Sequence, residues 1–178
     1  EFIKETRVYI NNLFSNYMNS KKINTVVLDQ AIPPTNILGT SCYFEDIKTI
    51  IIERDPRDIY ANMVRGRRLL GPELINKDSV EKYIKWHKQL RRVSEKDRDN
   101  IDISKNVLNL YFEDLVLNLD KTIEKINKFL GNNNIHDKKG RYFSQSYSIK
   151  NIGIWKKYKN QSVMSEIKKE LNEYCYDG

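Results

Sequence analysis

The stretch with the most chemistry in it is Ile50-Ile51-Ile52-Glu53-Arg54-Asp55-Pro56-Arg57-Asp58. Three consecutive isoleucines predict a buried strand, apolar on both faces as a central parallel strand should be. Pro56 suits the first position of a helix, where its missing N–H costs nothing. An arginine between such a strand and such a helix lies outside the carboxyl end of the sheet, where open α/β sheets bind ligands. Arg54 can fork two N–H donors onto a phosphate or sulfate, a geometry lysine cannot match. Free amides of the helix start would add to that anion site. The structural alternative is that Arg54, Asp55, Arg57 and Asp58 pair locally as salt bridges over the helix start.

Other reactive residue types are sparse. Cys42 and Cys175 are the two cysteines, which excludes a Cys-based zinc site and argues against a disulfide-stapled scaffold. His87 is expected on the solvent side of a helix and His136 in a loop after three asparagines, a spacing that makes neither a metal site nor a triad. Asp29, at the end of the apolar run Thr25–Leu28, is a weak candidate for a catalytic carboxylate.

The elements that must position these residues follow from periodicity. Ile3, Val8, Tyr9, Leu13, Tyr17 and Met18 predict an amphipathic helix from Ile3 to Ser20. Thr25–Leu28 predicts a short buried strand that Pro33-Pro34 stops. Strands are expected over Lys48–Arg54 and Val107–Phe112, and helices from Pro56 to Gly66 and over Ser79–Lys96. A further helix runs from about Asp120 to Leu130, with Gly131 as a left-handed cap. A last helix from Ser162 stacks Val163, Ile167, Leu171 and Cys175. Strands alternating with helices imply an α/β fold, a parallel β-sheet flanked by helices, in one domain over residues 1–178.

The Arg-Asp-Pro-Arg-Asp turn resembles the 3′-phosphate motif of sulfotransferases that use 3′-phosphoadenosine-5′-phosphosulfate (PAPS). Three more features follow in that family's order: Tyr111-Phe112-Glu113-Asp114-Leu115, the helix closing in Phe129-Leu130-Gly131, and Gly153-Ile154-Trp155-Lys156. The resemblance implies a P-loop-type fold and a nucleotide site. Arg54 would grip the 3′-phosphate, and Asn62, eight residues on, stands where the family has serine. Phe112 would pack on adenine without offering a hydroxyl. Gly153 would let backbone approach the ligand, with Trp155 anchoring its loop, and Lys150 is the nearest substitute for a basic pair absent in register. After Asp29 the family often has a Glu-Lys-Thr-Pro-like turn, which Gln30-Ala31-Ile32-Pro33-Pro34 matches only loosely, with Gln30 in place of its lysine.

The family's N-terminal Gly-rich phosphate loop has no counterpart in the 53 residues before Arg54. The chain opens Glu1-Phe2-Ile3 without methionine or signal peptide, so the expectation is a sulfotransferase domain whose loop and general base lie before Glu1. The implied reaction moves a sulfuryl group from PAPS to a hydroxyl or amine by in-line attack, releasing 3′,5′-adenosine bisphosphate and requiring no metal. A catalytically incomplete homologue that binds a nucleotide or polyanion is the alternative.

Composition is compatible with both. The 178 residues are 39% hydrophobic and 11% aromatic, enough for a core, and 31 Lys+Arg against 24 Asp+Glu leave +7. Between Asp137 and Lys159 seven basic residues face one acidic residue, which suits a polyanionic acceptor such as a glycan. Eleven tyrosines form no aromatic-plus-basic module, so a nucleic-acid partner is not expected. No apolar run approaches the roughly 20 residues of a membrane span, and a cytoplasmic location is the expectation.

Overall fold

A computed structural model describes residues 1–30, 36–66, 80–98, 105–131 and 143–177. Residues 31–34, His136 and the basic residues Lys138, Lys139 and Arg141 lie outside the described residues. The chain divides into two compact units. One comprises residues 1–49 and 90–107, the other residues 50–89 and 108–178.

In the first unit, α1 (Phe2–Lys21) ends where Lys22 turns left-handed, its N–H donating to Asn19 O. The helix forms as its periodicity predicts, yet Ile3, Val8, Tyr9, Leu13 and Tyr17 are all exposed. Its contacts are made by other residues. Arg7 donates two hydrogen bonds to Cys42 O, Phe2 meets Tyr43 edge-on, and the Phe14 and Phe44 rings lie 6.3 Å apart. Thr25–Leu28 is not a strand, and Val27 is 88% exposed. β-branched residues favour a strand only where a neighbouring strand and a packed face receive them, and no described strand pairs with this run. The short helix α2 (Ile37–Ser41) starts at Asn36, whose side chain accepts the Gly39 N–H at 3.1 Å. A Cβ at Gly39 would come within 2.3 Å of that oxygen, so the glycine serves the cap.

The two described strands, β1 (Thr49–Glu53) and β2 (Val107–Tyr111), pair in parallel, as the α/β reading expects. Between them run α3 (Pro56–Gly66) and α4 (Val80–Arg98), a helical crossover of the kind parallel strands need. Ile51 and Leu110 are buried, whereas Ile52 is 55% exposed, so β1 is not covered on both faces by the described residues. β2 stops one residue short of the predicted Phe112. There α5 (Phe112–Leu117) begins, with Glu113 and Asp114 in its first turn where the helix dipole favours anions.

Beyond α5 the described elements are helical. α6 (Leu119–Leu130) closes on Gly131 at φ 70°, the predicted left-handed cap. α7 (Gln145–Ser148) leads into two 3₁₀ turns, Ile149–Asn151 and Ile154–Lys157, and α8 (Gln161–Glu170) follows. The second unit's main core joins α3, the start of α4 and α8 through Tyr60, Met63, Tyr83, Ile84, Met164, Ile167 and Leu171. His87 is buried rather than solvent-facing, ringed by Tyr83, Trp86 and Tyr174. It stands three residues after Ile84 and seven after Val80, which places it on the same face of α4 as those core residues.

Candidate functional site at the carboxyl ends of the strands

Arg54 leaves β1 where the sheet ends. Asp55 is the N-cap of α3: its carbonyl accepts from Ile59 N–H, and its carboxylate accepts from Arg57 N–H at 2.8 Å. Pro56 thus takes the first helical position, as predicted. The same carboxylate holds the Arg57 guanidinium through Nε and Nη2 in a buried ion pair. Burial works to lower the Arg57 pKa, and the Asp55 carboxylate outweighs it, so the guanidinium sits above its ordinary value. The Arg57 amide is therefore committed to the cap and not free for an anion.

Local salt bridging accounts for Asp55 and Arg57 and for no more of the motif. Arg54 and Asp58 reach across the fold to the segment around Gly153. Arg54 Nη2 donates to Asn151 O at 2.5 Å, and the guanidinium lies 5.2 Å from the centre of the Phe112 ring. Its Nε is buried without a hydrogen-bond partner. Asp58 accepts two backbone hydrogen bonds, from Gly153 N–H at 2.7 Å and Trp155 N–H at 3.0 Å. Burial pushes the Asp58 carboxyl up, opposed by those two amides and by the Arg54 charge.

Gly153 adopts φ 67°, a left-handed conformation in which its N–H and that of Trp155 converge on one carboxylate. A Cβ there would meet nothing closer than Lys156 Cδ at 3.6 Å, so backbone angle rather than space requires the glycine. Its amide belongs to Asp58, and what the residue contributes to a ligand site is the shape of the turn. Trp155 packs against the core and carries the Arg57 guanidinium 4.2 Å from its ring centre.

The third component is the start of α5. Glu113 is 1% exposed, and its Oε1 accepts the Asp55 N–H at 3.0 Å, tying the end of β1 to the end of β2. Its Oε2 is buried without a hydrogen-bond partner. Burial raises the Glu113 pKa, the Asp55 amide works against it, and the neighbouring Asp55 and Asp58 charges add to the rise.

Arg54, Phe112 and the Asn151–Gly153 segment thus come together, 97 residues of chain separating Arg54 from its carbonyl partner. Asn62 is exposed on α3, one helical turn beyond Asp58 and so on the same side of the helix. Lys150 is exposed in the 3₁₀ turn next to Asn151. Asp29 is exposed and belongs to the other unit. Sequence reasoning missed the roles of Asp58 and Glu113. The one signal in the sequence was the position of Asp58 and Glu113, each in the first turn of a helix directly after a strand, and it does not name their distant partners. Among the described residues, no cluster of His, Cys, Asp and Glu could hold a metal ion.

A family model described as the sulfotransferase family matches residues 37–137, more than half of the chain, including Arg54, Asn62 and Phe112. Comparisons with curated proteins and with solved structures returned no match.

Proposed function

The chain belongs to the sulfotransferase family, whose chemistry is sulfuryl transfer, and from that premise we propose that its donor is PAPS, held by the 3′-phosphate at Arg54. The observation that carries this reading is the state of Arg54. Its guanidinium stands at the carboxyl end of β1, half-buried beside an aromatic ring, with a buried Nε donor that no protein group satisfies. An unsatisfied buried donor is costly, and a phosphate oxygen would remove that cost with a charge-assisted bond.

Each neighbouring residue then has a part in holding the nucleotide. Arg54 Nη2, through Asn151 O, fixes the guanidinium plane. Phe112 offers a ring for adenine and steadies the guanidinium against its face. Asp58 keeps the Asn151–Trp155 segment closed against α3, and Gly153 gives that segment its turn. Asn62 and Lys150, both exposed beside these elements, supply an amide donor and a cation for the remaining phosphate oxygens. PAPS itself, when bound, supplies the sulfuryl group and leaves as 3′,5′-adenosine bisphosphate. Lys156, Lys157 and Lys159 are exposed just beyond the Gly153 turn and favour a polyanionic acceptor such as a glycan.

The test is transfer of label from sulfur-labelled PAPS to hydroxyl-bearing acceptors, acidic glycans among them, by the full-length protein. Labelled product is expected, with Arg54→Ala raising the donor KM by about tenfold or more. Failure of the full-length protein to transfer label to any acceptor, with Arg54→Ala indistinguishable from wild type, would contradict the proposal.

A further inference from the structure

We propose that Tyr176, near the chain's C-terminus, is a positioning residue that straps the ends of β1 and β2 together and so sets the spacing of Arg54 and Phe112. This rests on the PAPS reading for its effect on nucleotide binding, and on geometry alone for the strap.

One residue bridges both turns. The Tyr176 N–H donates to Asp55 Oδ2 at 3.2 Å, in the turn after β1. Its phenol donates to Asp114 Oδ1 at 2.8 Å, in the first turn of α5 after β2. Its carbonyl accepts a longer bond from Arg57 Nη2 at 3.5 Å, and its ring centre lies 5.5 Å from that of Tyr111. Asp55 is also joined directly to Glu113. Asp55, Glu113, Asp114 and Tyr176 therefore form a closed ring of contacts, in which the tail is 121 residues from Asp55 along the chain. Arg54 immediately precedes one member of that ring, and Phe112 immediately precedes another.

The tail is itself held firmly. Leu171 and Cys175 are buried on either side of the Asn172–Tyr174 turn, so Tyr176 is delivered from a fixed point. Tyr176 is half-buried and outside the main core cluster, so its phenol contributes more to alignment than to hydrophobic stability. Loss of the phenol would leave Asp55 Nα–Glu113 as the direct tie between the two turns and free α5 to shift Phe112 relative to Arg54.

Tyr176→Phe keeps the ring and both backbone contacts and removes the bond to Asp114 alone. Titration of the full-length protein with 3′,5′-adenosine bisphosphate should show roughly five- to tenfold weaker binding for Tyr176→Phe, well below its melting temperature. Asp114→Ala should weaken binding by a similar factor, the double variant no further than either single one, and Asp114→Asn, which keeps an acceptor oxygen, should restore most of it. Unchanged affinity in Tyr176→Phe, or losses that multiply in the double variant, would overturn the strap. Amide hydrogen exchange without nucleotide separates the two ideas. Should the wild type not bind the nucleotide at all, the PAPS reading falls. The strap is then supported by faster exchange of the Asp55 amide and residues 112–115 in Tyr176→Phe, and overturned by unchanged exchange.

Discussion

Asp58 and Glu113 are buried carboxylates that spend their charge on backbone amides rather than on a cation at contact distance. Each accepts hydrogen bonds from another segment, Asp58 from Gly153 and Trp155, Glu113 from Asp55. Asparagine at position 58 would keep one acceptor and turn an N–H₂ toward the second amide. Asp58→Asn should therefore cost about 1–3 kcal/mol in urea unfolding; an unaltered midpoint would show that the two amides are satisfied without it. Burial raises both carboxyl pKa values above those of the unfolded chain. A folded state that holds its proton more tightly gains stability at low pH. That contribution is complete below the unfolded value near pH 4 and is lost as pH rises through the folded value. Glu113→Gln never ionises and keeps an oxygen for the Asp55 amide. Its melting temperature should gain on the wild type as pH rises from about 4, the unfolded value, through the raised folded value. A difference that stays constant, or moves the other way, contradicts the assignment.

At the scale of elements, the Gly153 turn is the piece most dependent on one residue. The left-handed φ of 67° costs an L-residue roughly 1–2 kcal/mol, while the space around a new Cβ is open. Gly153→Ala should lower stability by about that amount in urea unfolding and loosen the Asp58 latch; full retention of stability would mean that the turn can be rebuilt. The longer helices were legible because they carry their own evidence, Pro56 at a start, Gly131 at a stop and spaced apolar residues between, whereas the short α2, α5 and α7 were not expected. Thr25–Leu28 was misread because a strand is made by its neighbour, and four apolar residues do not reveal whether one exists. His87 was misread by residue type, although its spacing from Val80 and Ile84 already placed it inward. In α1 the period was legible but the packed side was not. Arg7, Phe2 and Phe14 make contacts, while Ile3, Val8, Tyr9, Leu13 and Tyr17 of the predicted stripe remain exposed.

For the whole molecule, the order of motifs along the chain carried more than any one of them. The Arg54 turn, the start of α5 at Phe112–Asp114 and the Gly153 turn are far apart in sequence, and the second unit closes them onto one another through single side chains. Arg54, Asp58, Glu113 and Tyr176 each bond to a residue at least 58 positions away. Such long-range ties have no local signature, which is why the motif was readable and its wiring was not. The excess of seven positive charges fits an anionic donor. The central claim is that Arg54 reads the 3′-phosphate, and comparing two nucleotides that differ by that group tests it most directly. Titration of the full-length protein should show 3′,5′-adenosine bisphosphate binding about ten- to hundredfold more tightly than adenosine 5′-monophosphate. In Arg54→Ala that preference should collapse, with little change for the monophosphate. Equal affinity for the two nucleotides in the wild type, or a preference that survives in Arg54→Ala, would contradict the account.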